Sequence, residues 1–125
     1  MPLRVLLVED HPVNQLLITR LLERWGHKVS VADNGQKALD TLAGQVFDAV
    51  LMDMHMPVMD GLEATRCWRE REQGRRTPVI GLTASAMEAD REACMAAGMD
   101  DFLVKPINTE QLYERLPRVG ARLQS

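Results

Sequence analysis

Five residues able to handle a charged group stand at the ends of short apolar runs. Glu9 and Asp10 follow "LRVLLV" (3–8), Asp53 ends "DAVLMD" (48–53), Thr83 ends "PVIGLT" (78–83), and Lys105 closes the apolar part of "DFLVKP" (101–106). Carboxylates gathered in one place repel one another unless a cation holds them. Oxygen ligands without a His or Cys cluster favour a hard ion. Mg²⁺ typically takes one or two carboxylates and completes its shell with water and phosphate oxygens. A lysine and a hydroxyl beside such a centre form a cradle for a phosphoryl group, neutralising its oxygens and donating a hydrogen bond. One carboxylate can itself be the nucleophile, giving an aspartyl phosphate. Asp53, alone at the end of the central apolar run, is the candidate.

Residues so far apart in sequence meet only if the elements carrying them share an edge. A further apolar run, "KVSVAD" (28–33), brings the number of strand-like segments to five. Segments with helical spacing lie between them. Val13, Leu17, Leu21 and Trp25 recur every four positions and predict one face of a first helix. A second helix is expected over 35–43, entered at Asp33 or Asn34, with Ala38, Leu39 and Leu42 inward. "DGLE" (60–63) and "SAME" (85–88) have the spacing of capping boxes. Gly26 and Gly98 suit the left-handed position after a helix. "NTEQ" (108–111) starts a last helix, which Pro117 should end or kink.

Strand and helix thus alternate five times, which implies a parallel sheet covered by helices on both faces. The unbroken apolar runs at 5–8 and 49–52 agree, because strands buried on both sides do not alternate. In open sheets of this class, ligands bind beyond the carboxyl ends of the strands. All five candidate residues stand at such ends.

Composition sets the outer bounds. At 125 residues, 46% hydrophobic and 26% charged, the chain has the size and make-up of one globular domain. A net charge of -3 gives no electrostatic case for nucleic acid or a membrane as the ligand. Cys67 and Cys94 have no CxxC partner and read as ordinary thiols in a reducing compartment. No run has the length of a membrane span or the form of a signal peptide, so the cytoplasm is the expected location.

The motifs "LLVEDHPVN", "DAVLMDMHMPVMDG", "GLTA" and "GMDDFLVKPI", in that order, resemble those of response-regulator receiver domains, the phosphoacceptor modules of two-component signalling. The resemblance spans about 3–116. It implies a flavodoxin-like (βα)5 three-layer sandwich with strand order 2-1-3-4-5, a receiver domain over 1–120 and a tail over 121–125. It implies that Asp53 accepts a phosphoryl group from a partner's phosphohistidine. Glu9, Asp10, Asp53 and the backbone carbonyl of His55 would hold Mg²⁺ or Mn²⁺. Lys105 would pair with the phosphoryl group, and the Lys105–Pro106 bond would be cis. Thr83 and Phe102 would form a switch acting on the face of the fourth helix, fifth strand and fifth helix, where a homodimer is also expected. His55 and Ser85 would tune how fast water attacks the acyl phosphate.

Within the family, "EDHPVNQLL" and "MDMHMPVMDGLEATR" look most like receivers attached to hybrid histidine kinases. The expected partners are then a sensor kinase phosphohistidine and a histidine phosphotransfer domain, docked near the first helix and the loops around Asp53. Direct membrane contact is not expected, although a membrane-bound hybrid kinase could tether the domain. A free-standing single-domain regulator and a phosphate-independent interaction module are the alternatives. A haloacid-dehalogenase phosphatase wants a D-x-D pair that "VEDHP" lacks. A flavodoxin wants a hydroxyl-rich loop where "EDHPVN" stands, and no GxGxxG marks a dinucleotide site.

Overall fold

In the computed structural model, five strands and five helices alternate along the chain. They are β1 (Arg4–Val8), α1 (Pro12–Arg24), β2 (Lys28–Ala32), α2 (Gly35–Gly44), β3 (Ala49–Asp53), α3 (Gly61–Arg71), β4 (Val79–Thr83), α4 (Glu88–Ala97), β5 (Asp101–Val104) and α5 (Thr109–Gln124). The structure describes residues 3–54, 56, 59–72, 76–84 and 87–124, with 117–124 described by backbone alone. The strands are parallel in the order β2-β1-β3-β4-β5, the flavodoxin-like order expected. Val8 is level with Met52, Asp53 with Leu82, and Thr83 with Val104, so the carboxyl ends of β1, β3, β4 and β5 form one edge.

Side-chain alternation along the strands divides the core in two. Val5, Leu7, Leu51, Ile80, Leu82 and Leu103 point to one face and pack with Ile18 and Leu22 of α1 and Leu112 and Leu116 of α5. Leu6, Val8, Val50 and Met52 point to the other, against Ala38 and Leu42 of α2, Ala64 of α3 and Cys94 of α4. Every residue of β3 and β4 is buried, as the unbroken apolar runs require. Each fully buried leucine contributes on the order of 1.5–3 kcal/mol.

Local signals position the helices. Asn34 caps α2 by accepting the Lys37 N–H at 2.9 Å, and Asp60 caps α3 by accepting the Glu63 N–H at 2.8 Å. Gly98 ends α4 at φ 101°, a left-handed conformation that favours glycine. Gly61 is needed for a different reason. A Cβ there would lie 2.1 Å from the carbonyl oxygen of Asp53, so only glycine lets α3 abut the end of β3.

Three sequence expectations are corrected. Val13 and Leu17 are 68% and 58% exposed, and α1 seats Ile18 and Leu22 instead. A four-residue step overshoots one helical turn by about 40°, so a stripe spaced by four winds off the buried face. The second capping box does not start α4 after Ser85, which lies outside the described residues. The helix begins at Glu88, behind a Met87 cap without a side-chain bond, and first-turn Glu88 and Asp90 favour it through the helix dipole. Finally, Pro117 does not end α5, which runs through it to Gln124. Proline removes one backbone bond, but buried Leu112 and Leu116 anchor the helix immediately before it.

The opposite edge of the sheet is tied by charge. Arg69 of α3, whose side chain is 13% exposed, donates to Gly98 O (2.9 Å), Thr77 O (2.7 Å), Asp100 Oδ2 (2.9 Å) and the Glu72 carboxylate (2.9 and 3.1 Å). Glu72 also accepts the Thr77 N–H, and Asp100 the Val79 N–H. The cluster joins α3 to the starts of β4 and β5.

Candidate functional site

The ends of β1 and β3 bring Glu9, Asp10 and Asp53 together, with one carboxylate oxygen from each within 4.8 Å of the others. Glu9 is fully buried and Asp53 is 2% exposed. Lys105, one residue past β5, answers both. Its Nζ lies 3.1 Å from Glu9 Oε1 and 3.1 Å from Asp53 Oδ2. The cis Lys105–Pro106 bond follows directly, and the Lys105 N–H donates to Thr83 O at 2.6 Å. Thr83 is thereby fixed, buried, on the same edge.

The donors around Glu9 set its charge. Burial pushes its carboxyl up. Hydrogen bonding with Asp53, Asn14 and Lys105, together with attraction to the Lys105 charge, outweighs burial and holds the pKa down to about 2. For Lys105, burial acts downward, but the Asp53 and Glu9 carboxylates overcome it and raise its pKa above the ordinary value. Lys105 is thus held charged and Glu9 anionic.

The cluster fits a hard divalent ion. Of the three carboxylates Glu9 and Asp53 meet Lys105, while Asp10 Oδ1 is buried and accepts no hydrogen bond among the described residues. A buried oxygen left in that state is costly unless something positive meets it. The donor set is oxygen only, as Mg²⁺ prefers. His55 and Ser85, expected to supply a carbonyl and a rate-tuning side chain, lie outside the described residues.

Phe102 sits apart from the acids. It is half-buried on β5, packed against the core on the α2–α4 side, and lines a shallow surface cavity with Arg91, Gln111 and Arg115. Arg115 of α5 bonds Asp101 Oδ1 and the Phe102 carbonyl, tying α5 to β5 there. His27 is structural, as its Nδ1 accepts the Leu3 N–H at 3.0 Å. His11 caps α1 without a side-chain bond.

Two participants escaped the sequence reading. Asn14 Nδ2 donates to Glu9 Oε1 at 2.8 Å, and Gln15 Nε2 to the Glu9 carbonyl at 2.6 Å. The signal was an amide pair in the first turn after the acids, visible in "EDHPVNQ". Beside them a groove of roughly 570 Å³ runs between α1 and α5, lined by Glu9, Leu17, Leu21, Lys105, Pro106 and Ile107.

Comparison with known proteins agrees with this geometry. The response regulator receiver domain family matches residues 5–117. The chain is 47% identical over 114 residues to the sensor histidine kinase GacS of Pseudomonas protegens, covering 89% of this chain and 12% of that one. It therefore spans about an eighth of that relative's length. Among solved structures it matches the receiver domain of sensor histidine kinase PA1611 from Pseudomonas aeruginosa, described with a magnesium ion coordinated in the active site cleft. That match has a TM-score of 0.89 at 44% identity, covering 97% of this chain and 99% of that one. It also matches the receiver domain of Ssk1 from Saccharomyces cerevisiae, solved with the histidine phosphotransfer protein Ypd1, with a TM-score of 0.90 at 26% identity over 96% and 90% of the two chains. With the family matched over residues 5–117 and a relative 47% identical over 89% of the chain, the chain belongs to the response regulator receiver domain family.

Proposed function

We propose that Asp53 is the phosphoacceptor of this receiver domain. The observation that carries the reading is Lys105 Nζ at 3.1 Å from both Asp53 Oδ2 and Glu9 Oε1, beside Asp10. An Asp53 carboxylate oxygen attacks the phosphorus of a phosphohistidine. The P–N bond breaks, and its electron pair returns to the imidazole nitrogen. Lys105 neutralises charge on the phosphoryl oxygens, and Thr83 donates a hydrogen bond to one of them. Glu9, Asp10 and Asp53 would hold Mg²⁺ or Mn²⁺, which when bound supplies further positive charge to those oxygens. Water later attacks phosphorus, cleaving the acyl O–P bond and releasing phosphate, so the domain is a signalling module with self-phosphorylation and dephosphorylation chemistry.

The donor we infer is a histidine kinase or a histidine phosphotransfer domain, with this chain forming part of a hybrid sensor kinase. The likeness to a receiver solved with Ypd1 supports this, as do the exposed Val13, Leu16 and Leu17 of α1 beside the groove that opens on Glu9 and Lys105. Output runs through Thr83 and Phe102 to the face of α4, β5 and α5. Among the described residues, no helix is long and apolar enough to cross a membrane.

The test is intact mass after incubation with acetyl phosphate, with and without Mg²⁺, on wild type and Asp53→Asn. One Mg²⁺-dependent phosphoryl adduct, absent in the variant, is expected. No adduct, under conditions that label another receiver, would overturn the assignment.

A further inference from the structure

We propose that Asn14 is a positioning residue that frees Lys105 for the phosphoryl group. The inference rests on the reading of Asp53 as acceptor and adds to it a residue of α1. Glu9 has no exposed surface, so its hydrogen-bond donors come from the protein. Its Oε2 accepts the Asp10 N–H at 3.1 Å. Its Oε1 accepts from Asn14 Nδ2 at 2.8 Å and from Lys105 Nζ at 3.1 Å. Lys105 is divided between Glu9 and Asp53 at equal distance.

A phosphoryl group on Asp53 draws the ammonium toward its own oxygens. Without a second donor on Oε1, that movement would strip a wholly buried carboxylate oxygen of its only side-chain partner, which is costly. Asn14 is that second donor. It is held in place from its own helix, because Gln15 beside it bonds the Glu9 carbonyl at 2.6 Å. These two amides stitch the first turn of α1 to the end of β1. Asn14 satisfies the carboxylate, while Gln15 secures only the backbone. An amide also serves better than a second lysine would, because it satisfies Oε1 without a competing positive charge beside the phosphoryl group.

A double-mutant cycle separates this role from plain stabilisation. Phosphorylation by acetyl phosphate at saturating Mg²⁺, read by intact mass, is compared across wild type, Asn14→Leu, Glu9→Gln and the double variant. Gln15→Leu serves as the backbone control. Asn14→Leu is expected to slow phosphorylation at least tenfold in the wild-type background. It should change the rate less than twofold once Glu9→Gln has removed the charge that retains Lys105. Gln15→Leu should lower the unfolding midpoint while moving the rate less than threefold. Asn14→Ala, with urea unfolding to certify the fold, repeats the comparison should leucine disturb packing. An equal loss in both backgrounds, or none in the wild-type background, overturns the inference while leaving the acceptor assignment intact. Failure of the wild type itself to be labelled on Asp53 removes both.

Discussion

Replacing Lys105 by methionine removes one charge and keeps most of the volume. Two acids, one wholly buried and the other with a side chain 3% exposed, then lose their shared cation. Breaking a buried ion pair from one side costs about 3–5 kcal/mol, because the remaining charge stays out of water. At about 2.1 cal/mol/K per residue of unfolding entropy, that lowers the Tm of a chain this size by about 10–20 °C. The comparison variant is Lys37→Met, whose ion pair with Asp33 is 2.9 Å long, with side chains 60% and 51% exposed. An exposed pair of that kind is worth under about 1 kcal/mol. Scanning calorimetry at pH 7 in EDTA should therefore separate the two variants by about 7 °C or more. Added Mg²⁺ should return much of the Lys105→Met deficit, by supplying the missing positive charge. If Lys105→Met lost no more than Lys37→Met in EDTA, the acids would not depend on that lysine and the electrostatic account of the site would fail.

Gly61→Ala should destabilise the fold by about 1–3 kcal/mol in urea titrations, since the new methyl meets the Asp53 carbonyl. It should also slow phosphorylation, which wild-type rates would contradict. Arg69→Met strips Glu72, side chain 10% exposed, of its cation, while Asp100 keeps its 3.1 Å pair with Arg76, and should cost about 3 kcal/mol at low salt without changing Mg²⁺ affinity. A shift in the metal titration would show that the two ends of the sheet communicate through that cluster. His27 is held neutral by burial and by repulsion from the N-terminal ammonium, which lowers its pKa below 6.5. Its contribution is fully present above pH 6.5 and lost as pH falls through its lowered folded-state pKa, because only the unfolded chain then takes up the proton. His27→Gln should flatten the fall in Tm between pH 7 and 5, and an unchanged slope would place the sensitivity elsewhere.

The strands and their end residues were legible because β3 and β4 are buried on both faces, leaving unbroken apolar runs that stop at a charged or hydroxyl residue. Convergence of Glu9, Asp10, Asp53 and Lys105 followed from alternation of strand and helix, since parallel strands place all their carboxyl ends on one edge. The face of α1 was not legible. Its apolar residues cover more of the helix than the sheet can bury, so periodicity marked Val13 and Leu17 as readily as Ile18 and Leu22. Asn14 and Gln15 were hidden for a related reason. A polar residue in a first turn has many local uses, and only the approach of that turn to β1 picks Glu9 as its partner.

The Arg69 cluster has a mechanical consequence. It pins β4 at Val79 and the entry to β5 at Asp100, 4 residues from Thr83 and 5 from Lys105 at the other end. A strand clamped at one end and loaded at the other cannot slide along its neighbours. β4 is in addition paired along its length with β3 and β5. The charge cluster at the amino ends of β4 and β5 therefore helps hold the register in which Thr83 and Lys105 reach the acidic edge.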